Sequence, residues 1–160
     1  MLAGIHFFSA SIISLAFSPS PVFSLILGFI LHHLEDLLPH LDLNIFNKKE
    51  YSSIKNWDFK AWSIFLLEFS FFFLLTVYFL SNFSLERQKI AFWGGIGALL
   101  PDIIHFTIRS FFPNFQLLNF YLEFHSNYHF KFKRKNYFLP ILLEILIIVF
   151  CFLLIKIVGN

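Results

Sequence analysis

The sequence predicts an all-α fold: a polytopic membrane helical bundle of about five hydrophobic helices plus an interfacial helix, forming a single integral membrane domain over residues 1–160. Three observations carry that expectation. The 160 residues are 58% hydrophobic and only 14% charged, with a mean hydropathy of +0.72, against about 45–50% apolar and about 25% charged in an ordinary soluble domain. The apolar residues fall into long runs separated by Pro, Ser and basic loops. The basic residues are gathered in loops rather than in one stripe, so nothing suggests nucleic-acid binding.

The elements follow in chain order. Residues 2–17 form the first apolar segment, which is short for a full crossing. The run Ser18-Pro-Ser-Pro21 breaks it, because Pro restricts its own backbone and that of the residue before it. The second segment covers 22–38 and ends at Pro39, and the polar loop 44–60 follows. The third, 61–80, has the length to span. The fourth, 90–112, carries Gly94, Gly95 and Gly97, which permit close helix approach, and Pro101, which kinks it. Residues 114–136 mix aromatic and basic residues and read as a helix lying at the membrane surface. The fifth segment is 137–158. A cleavable signal would begin with a basic stretch, yet the first basic residue is Lys48, so residues 1–17 read as part of the mature fold. Cys151, the single cysteine, has no partner for an internal disulfide. The 26 Phe residues read as compositional bias on a lipid-facing surface.

With five alternating crossings, nine basic residues fall on the side of Met1 and three (Arg87, Lys89 and Lys156) on the other. The positive-inside rule makes the first side cytoplasmic, with the N-terminus in and the C-terminus out.

Ionisable groups inside apolar segments are costly, so their positions carry information. His6 opens the first segment. His32, His33, Glu35 and Asp36 crowd the end of the second, with His40 and Asp42 just beyond. Asp102 and His105 lie late in the fourth, and His125 and His129 in the surface helix. The alternating topology brings all of them to one membrane side. His32 and Asp36 are four apart and share a helix face, as do His125 and His129, while Asp102 and His105 are three apart. Imidazole with carboxylate is the donor set of zinc and related divalent ions. The expected metal ligands are His6, His32, Asp36, His40, Asp102, His125 and His129, holding one or two ions, with Asp42 or His105 as general base. His33 and Glu35 sit off the His32–Asp36 face and are not expected as ligands.

Four marks recur together: the early His6, the string His32-His-Leu-Glu-Asp-Leu-Leu-Pro-His-Leu-Asp42, the Leu100-Pro-Asp102 element, and His125-Ser-Asn-Tyr-His129. In order and spacing they resemble the YdjM-like inner-membrane proteins, assigned as metal-dependent hydrolases, over nearly the whole chain. The resemblance implies a small helical protein of a bacterial inner membrane with a polar His/Asp centre. It departs from longer relatives after the Pro-Asp element, where only His105 follows. The expected activity is metal-dependent hydrolysis of a lipid or membrane-associated ester or phosphoester at the cytoplasmic face. A di-iron lipid oxygenase would rely on roughly eight histidines rather than seven mixed with Asp, and a structural or metal-binding protein without catalysis is the remaining alternative. The chain has no HExxH and no GxSxG motif.

Overall fold

The computed structural model describes residues 2–41, 57–112, 116–128 and 137–159, without the side chains of 116–118 and 126–128. Among the described residues all regular structure is helical, with no strand: α1 (Ala3–Phe17), α2 (Pro21–Asp36), α3 (Phe59–Leu80), α4 (Leu85–Phe111), α5 (Gln116–Tyr128) and α6 (Phe138–Gly159).

Local chemistry explains where these helices start. Ser20 caps α2 by accepting from the Phe23 amide at 3.3 Å, and Pro21 fills the first position, where no amide hydrogen is needed. Asp58 does the same for α3, accepting from Ala61 N–H at 2.9 Å. The serines also hold the α1–α2 turn, since Ser24 Oγ donates to Ser18 Oγ at 2.7 Å and Ser18 Oγ to the Ser20 carbonyl at 2.9 Å. α4 begins five residues earlier than its apolar run, because its first turn is polar and invisible to hydropathy. It continues through Pro101 to Phe111.

α3, α4 and α6 are long and apolar enough to cross a membrane. The expected count of five is therefore supported for three. α1 is apolar but has only 15 residues, about 22 Å at the helical rise, short of a hydrocarbon core about 30 Å thick. α2 ends in His32, His33, Glu35 and Asp36, which dilute its apolar character. On α3 and α6 the exposed side chains include Leu66, Leu67, Phe71, Leu74, Ile145, Leu146 and Leu153, a surface suited to lipid.

α1 is the central helix. It is buried on nearly every side, packing on α4, α3, α6 and α2, which accounts for its being apolar all round. Ile5, Phe8 and Ile12 meet Phe72 of α3 and Cys151 and Leu154 of α6 in the main apolar cluster. Its N-terminal amides are capped from another helix: Gly4 and Ile5 N–H each donate to the Glu68 carboxylate at 3.1 Å. At the far end, Arg87 Nη2 donates to the Leu15 carbonyl at 3.3 Å and Nη1 to that of Val158 at 3.4 Å. These contacts fix the directions: α1 and α6 end beside the start of α4, while the start of α1 lies beside the N-terminal half of α3.

The expected close helix approach is present. Gly28 and Gly94 are where α2 and α4 touch, and a Cβ on Gly28 would meet the Gly94 carbonyl group and the Ala98 nitrogen. A Cβ on Gly95 would strike Ser11 and Phe7 of α1, so the three helices share one tight seam. That seam leads directly to the polar end of the bundle.

Candidate metal centre

Four helices converge at the Glu68 end. His6 comes from the first turn of α1, His32 and Asp36 from the last two turns of α2, Asp102 from α4 just after Pro101, and His125 from α5. Asp36 is the hub. Its Oδ1 lies 3.1 Å from His6 Nε2, and its Oδ2 lies 3.1 Å from His32 Nε2 and 3.3 Å from His125 Nε2. Asp102 Oδ1 completes the group, 3.8 Å from His32 Nε2 and 3.9 Å from His125 Nε2. His6, His32, Asp36 and His125 are buried, whereas the Asp102 side chain is 25% exposed and marks the open edge. Burial, reinforced by the neighbouring His105, pushes the His125 imidazole down to about 4, which keeps it neutral with a lone pair available at pH 7.

Two overlapping donor groups result, His6–His32–Asp36 and His32–Asp102–His125, each with its ligand atoms within 4.8 Å of one another. The residues fit a divalent ion on three grounds. Both ring nitrogens of His32 are buried without a hydrogen bond, because the Asp36 oxygen at 3.1 Å lies off the line that such a bond requires. A buried imidazole left in that state is rare unless something else satisfies it. Two carboxylates also balance a 2+ charge, and mixed N/O donors suit zinc and its neighbours.

The remaining expected residues divide. His105 stands beside the cluster, its ring 4.8 Å from that of His125, and belongs to neither donor group. His40 is buried after Pro39, with Nδ1 2.7 Å from the Leu38 carbonyl, and it too is in neither group. Asp42 and His129 lie outside the described residues. His33 packs edge-on against Phe29, Phe124, His32 and His125 in an aromatic box.

Glu35, not expected as a ligand, is in neither donor group but lies against His6. It is buried, and its Oε2 lies 2.6 Å from His6 Nδ1, so it belongs to the polar centre. The helical wheel places it off the His32–Asp36 face, but α1 lies alongside α2 and receives that side of the helix. Glu68 and Glu144 were not singled out either. Glu144 of α6 accepts from Leu41 N–H at 2.7 Å and ties down the chain leaving α2, as Glu68 ties down the start of α1. A carboxylate inside each of the two most apolar runs was the available signal.

The fold and site together define a helical bundle with apolar membrane-length helices and a buried His/Asp cluster able to hold a metal ion. No family model, curated protein or solved structure matches the chain.

Proposed function

We propose that the chain is a membrane-bound, metal-dependent hydrolase acting at the cytoplasmic face on a lipid or membrane-associated ester or phosphoester. The convergence of His32, Asp36, Asp102 and His125 on one small volume, with one edge open, is the observation that carries this reading. The resemblance to the YdjM-like inner-membrane proteins points the same way and supplies the bacterial inner membrane as the setting.

His32, Asp36, Asp102 and His125 would hold the ion, with zinc the first choice and His6 beside them. A divalent ion in such a centre lowers the pKa of bound water to about 7 and so supplies hydroxide at neutral pH. The apolar helices α1, α2 and α4 exclude bulk water from three sides. Asp102, at the exposed edge, faces the direction from which a headgroup would arrive. His105 is the described group placed to take up a proton beside His125.

The test is metal content and ester hydrolysis on detergent-purified wild type, Asp36→Asn, Asp102→Asn and His33→Gln. Wild type should carry stoichiometric metal. Each Asp→Asn change should strip the metal and abolish hydrolysis while leaving expression and insertion intact, and His33→Gln should retain the metal. Wild-type protein prepared without chelator and still free of metal would overturn the proposal.

A further inference from the structure

The donor atoms fall into two overlapping groups, which leaves open whether the centre takes one ion or two and what His6 does in it. The distances decide both. A tetrahedral ion with bonds of about 2.0–2.1 Å keeps its ligand atoms about 3.3–3.4 Å apart. Among Asp36 Oδ2, His32 Nε2, His125 Nε2 and Asp102 Oδ1, the four imidazole–carboxylate separations run from 3.1 to 3.9 Å and bracket that value. Those four separations are of the size that one shared ion requires.

A second ion does not find enough donors among the described residues. Its group would share His32, yet a neutral imidazole has one lone pair, the other nitrogen carrying hydrogen. His32 Nε2 already faces Asp36 Oδ2 and Asp102. What remains among the described residues is His6 Nε2 and Asp36 Oδ1, two atoms, short of the three protein ligands that a catalytic zinc takes beside its water.

His6 is engaged elsewhere. Its Nδ1 lies 2.6 Å from Glu35 Oε2 and its Nε2 3.1 Å from Asp36 Oδ1, the carboxylate oxygen turned away from His32 Nε2 and His125 Nε2. Its ring lies over His32 at 4.2 Å between centroids, which also restrains that imidazole. Resting on the metal reading above, we infer that the centre binds a single ion through His32, Asp36, Asp102 and His125, and that Glu35 and His6 form a relay that positions Asp36 without touching the ion. Outer partners of this kind typically change metal affinity 10–100-fold.

Cobalt(II) titration of chelator-treated protein in detergent tests this, since its visible bands report the ligand set directly. Wild type should saturate at one Co(II) per chain. His6→Gln should also saturate at one, with band positions and intensity unchanged and the dissociation constant raised about 10–100-fold. Glu35→Ala should behave like His6→Gln, and Glu35→Gln, which keeps an acceptor for His6, should recover most of the affinity. Asp102→Asn should alter or erase the bands. Should His6→Gln fail to fold, the two Glu35 variants carry the same comparison from α2. Two Co(II) per wild-type chain, or altered bands in His6→Gln or Glu35→Ala, would overturn the inference and leave the metal centre standing. Wild type that binds neither cobalt nor zinc would remove both.

Discussion

Replacing Gly28 by Ala adds one methyl group away from the donor cluster: along the helix His32 is one turn away, about 6 Å, and Asp36 about 12 Å. The added carbon would sit 2.9 Å from the Gly94 carbonyl carbon and 3.0 Å from the Ala98 nitrogen. Non-bonded carbons settle at about 3.5–4.0 Å, so α2 must withdraw from α4 by on the order of 1 Å. The neighbours are backbone and cannot rotate aside. Overpacking of this kind costs about 1–3 kcal/mol, or roughly 5–150-fold in the folding equilibrium. It also moves His32 and Asp36 away from Asp102, stretching the 3.8 Å His32–Asp102 separation toward about 5 Å, too wide for one ion to bridge. Unfolding in detergent–SDS mixtures measures the first effect, and zinc equilibrium dialysis the second. Gly159→Ala is the control, because a Cβ there meets only Phe83 Cζ at 3.6 Å, an ordinary contact. If Gly28→Ala is as stable as Gly159→Ala, the close approach is refuted; if it is destabilised yet binds zinc as tightly as wild type, the coupling between seam and site is refuted.

Three further outcomes are expected. Glu68→Leu leaves the Gly4 amide, which donates to Glu68 in the native fold, buried without its acceptor; a loss of about 1–3 kcal/mol should appear in SDS unfolding, with Glu68→Gln intermediate, and no loss would show that the cap is irrelevant. Arg87→Ala frees the carbonyls of Leu15 and Val158 at the opposite end, so stability should fall by ~1–3 kcal/mol while zinc binding by the purified folded fraction stays at the wild-type level. A topology reporter fused after Asn160 should read as external and one inserted in residues 44–60 as cytoplasmic, and the same reading from both would overturn the alternating scheme.

The chemistry of the site was more legible in the sequence than its boundaries. His6, His32, Asp36, Asp102 and His125 stand out because an imidazole or carboxylate in an apolar run needs a reason, and alternating helices bring them to one end. The contact of Glu35 with His6 was not legible, because a helical wheel reports which residues share a face within one helix and not that α1 packs against the adjacent face. Glu68 and Glu144 carry a visible signal, yet their partners are backbone amides of Gly4, Ile5 and Leu41, which no side-chain pattern reveals. The glycine seam was readable from Gly94, Gly95 and Gly97, whereas the role of Gly28 depends on its register against α4. Spanning by α1 and α2 was inferred from apolarity, and their lengths of 15 and 16 residues show how much burial inside protein and burial in lipid look alike in a sequence.

The central position of α1 has a consequence for biosynthesis. The enclosed helix leaves the ribosome before α3, α4 and α6, the neighbours that enclose it. During synthesis it must therefore wait among lipids or insertion machinery, with Ser9, Ser11 and Ser14 exposed on flanks that the finished bundle covers. The donors at His6, His32, Asp36, Asp102 and His125 likewise reach the membrane at widely separated times. A nascent chain halted before α4 would display His6, His32 and Asp36 with neither Asp102 nor His125 to close around a cation. On the proposed metal reading, loading would follow the docking of α5, which brings the last donor.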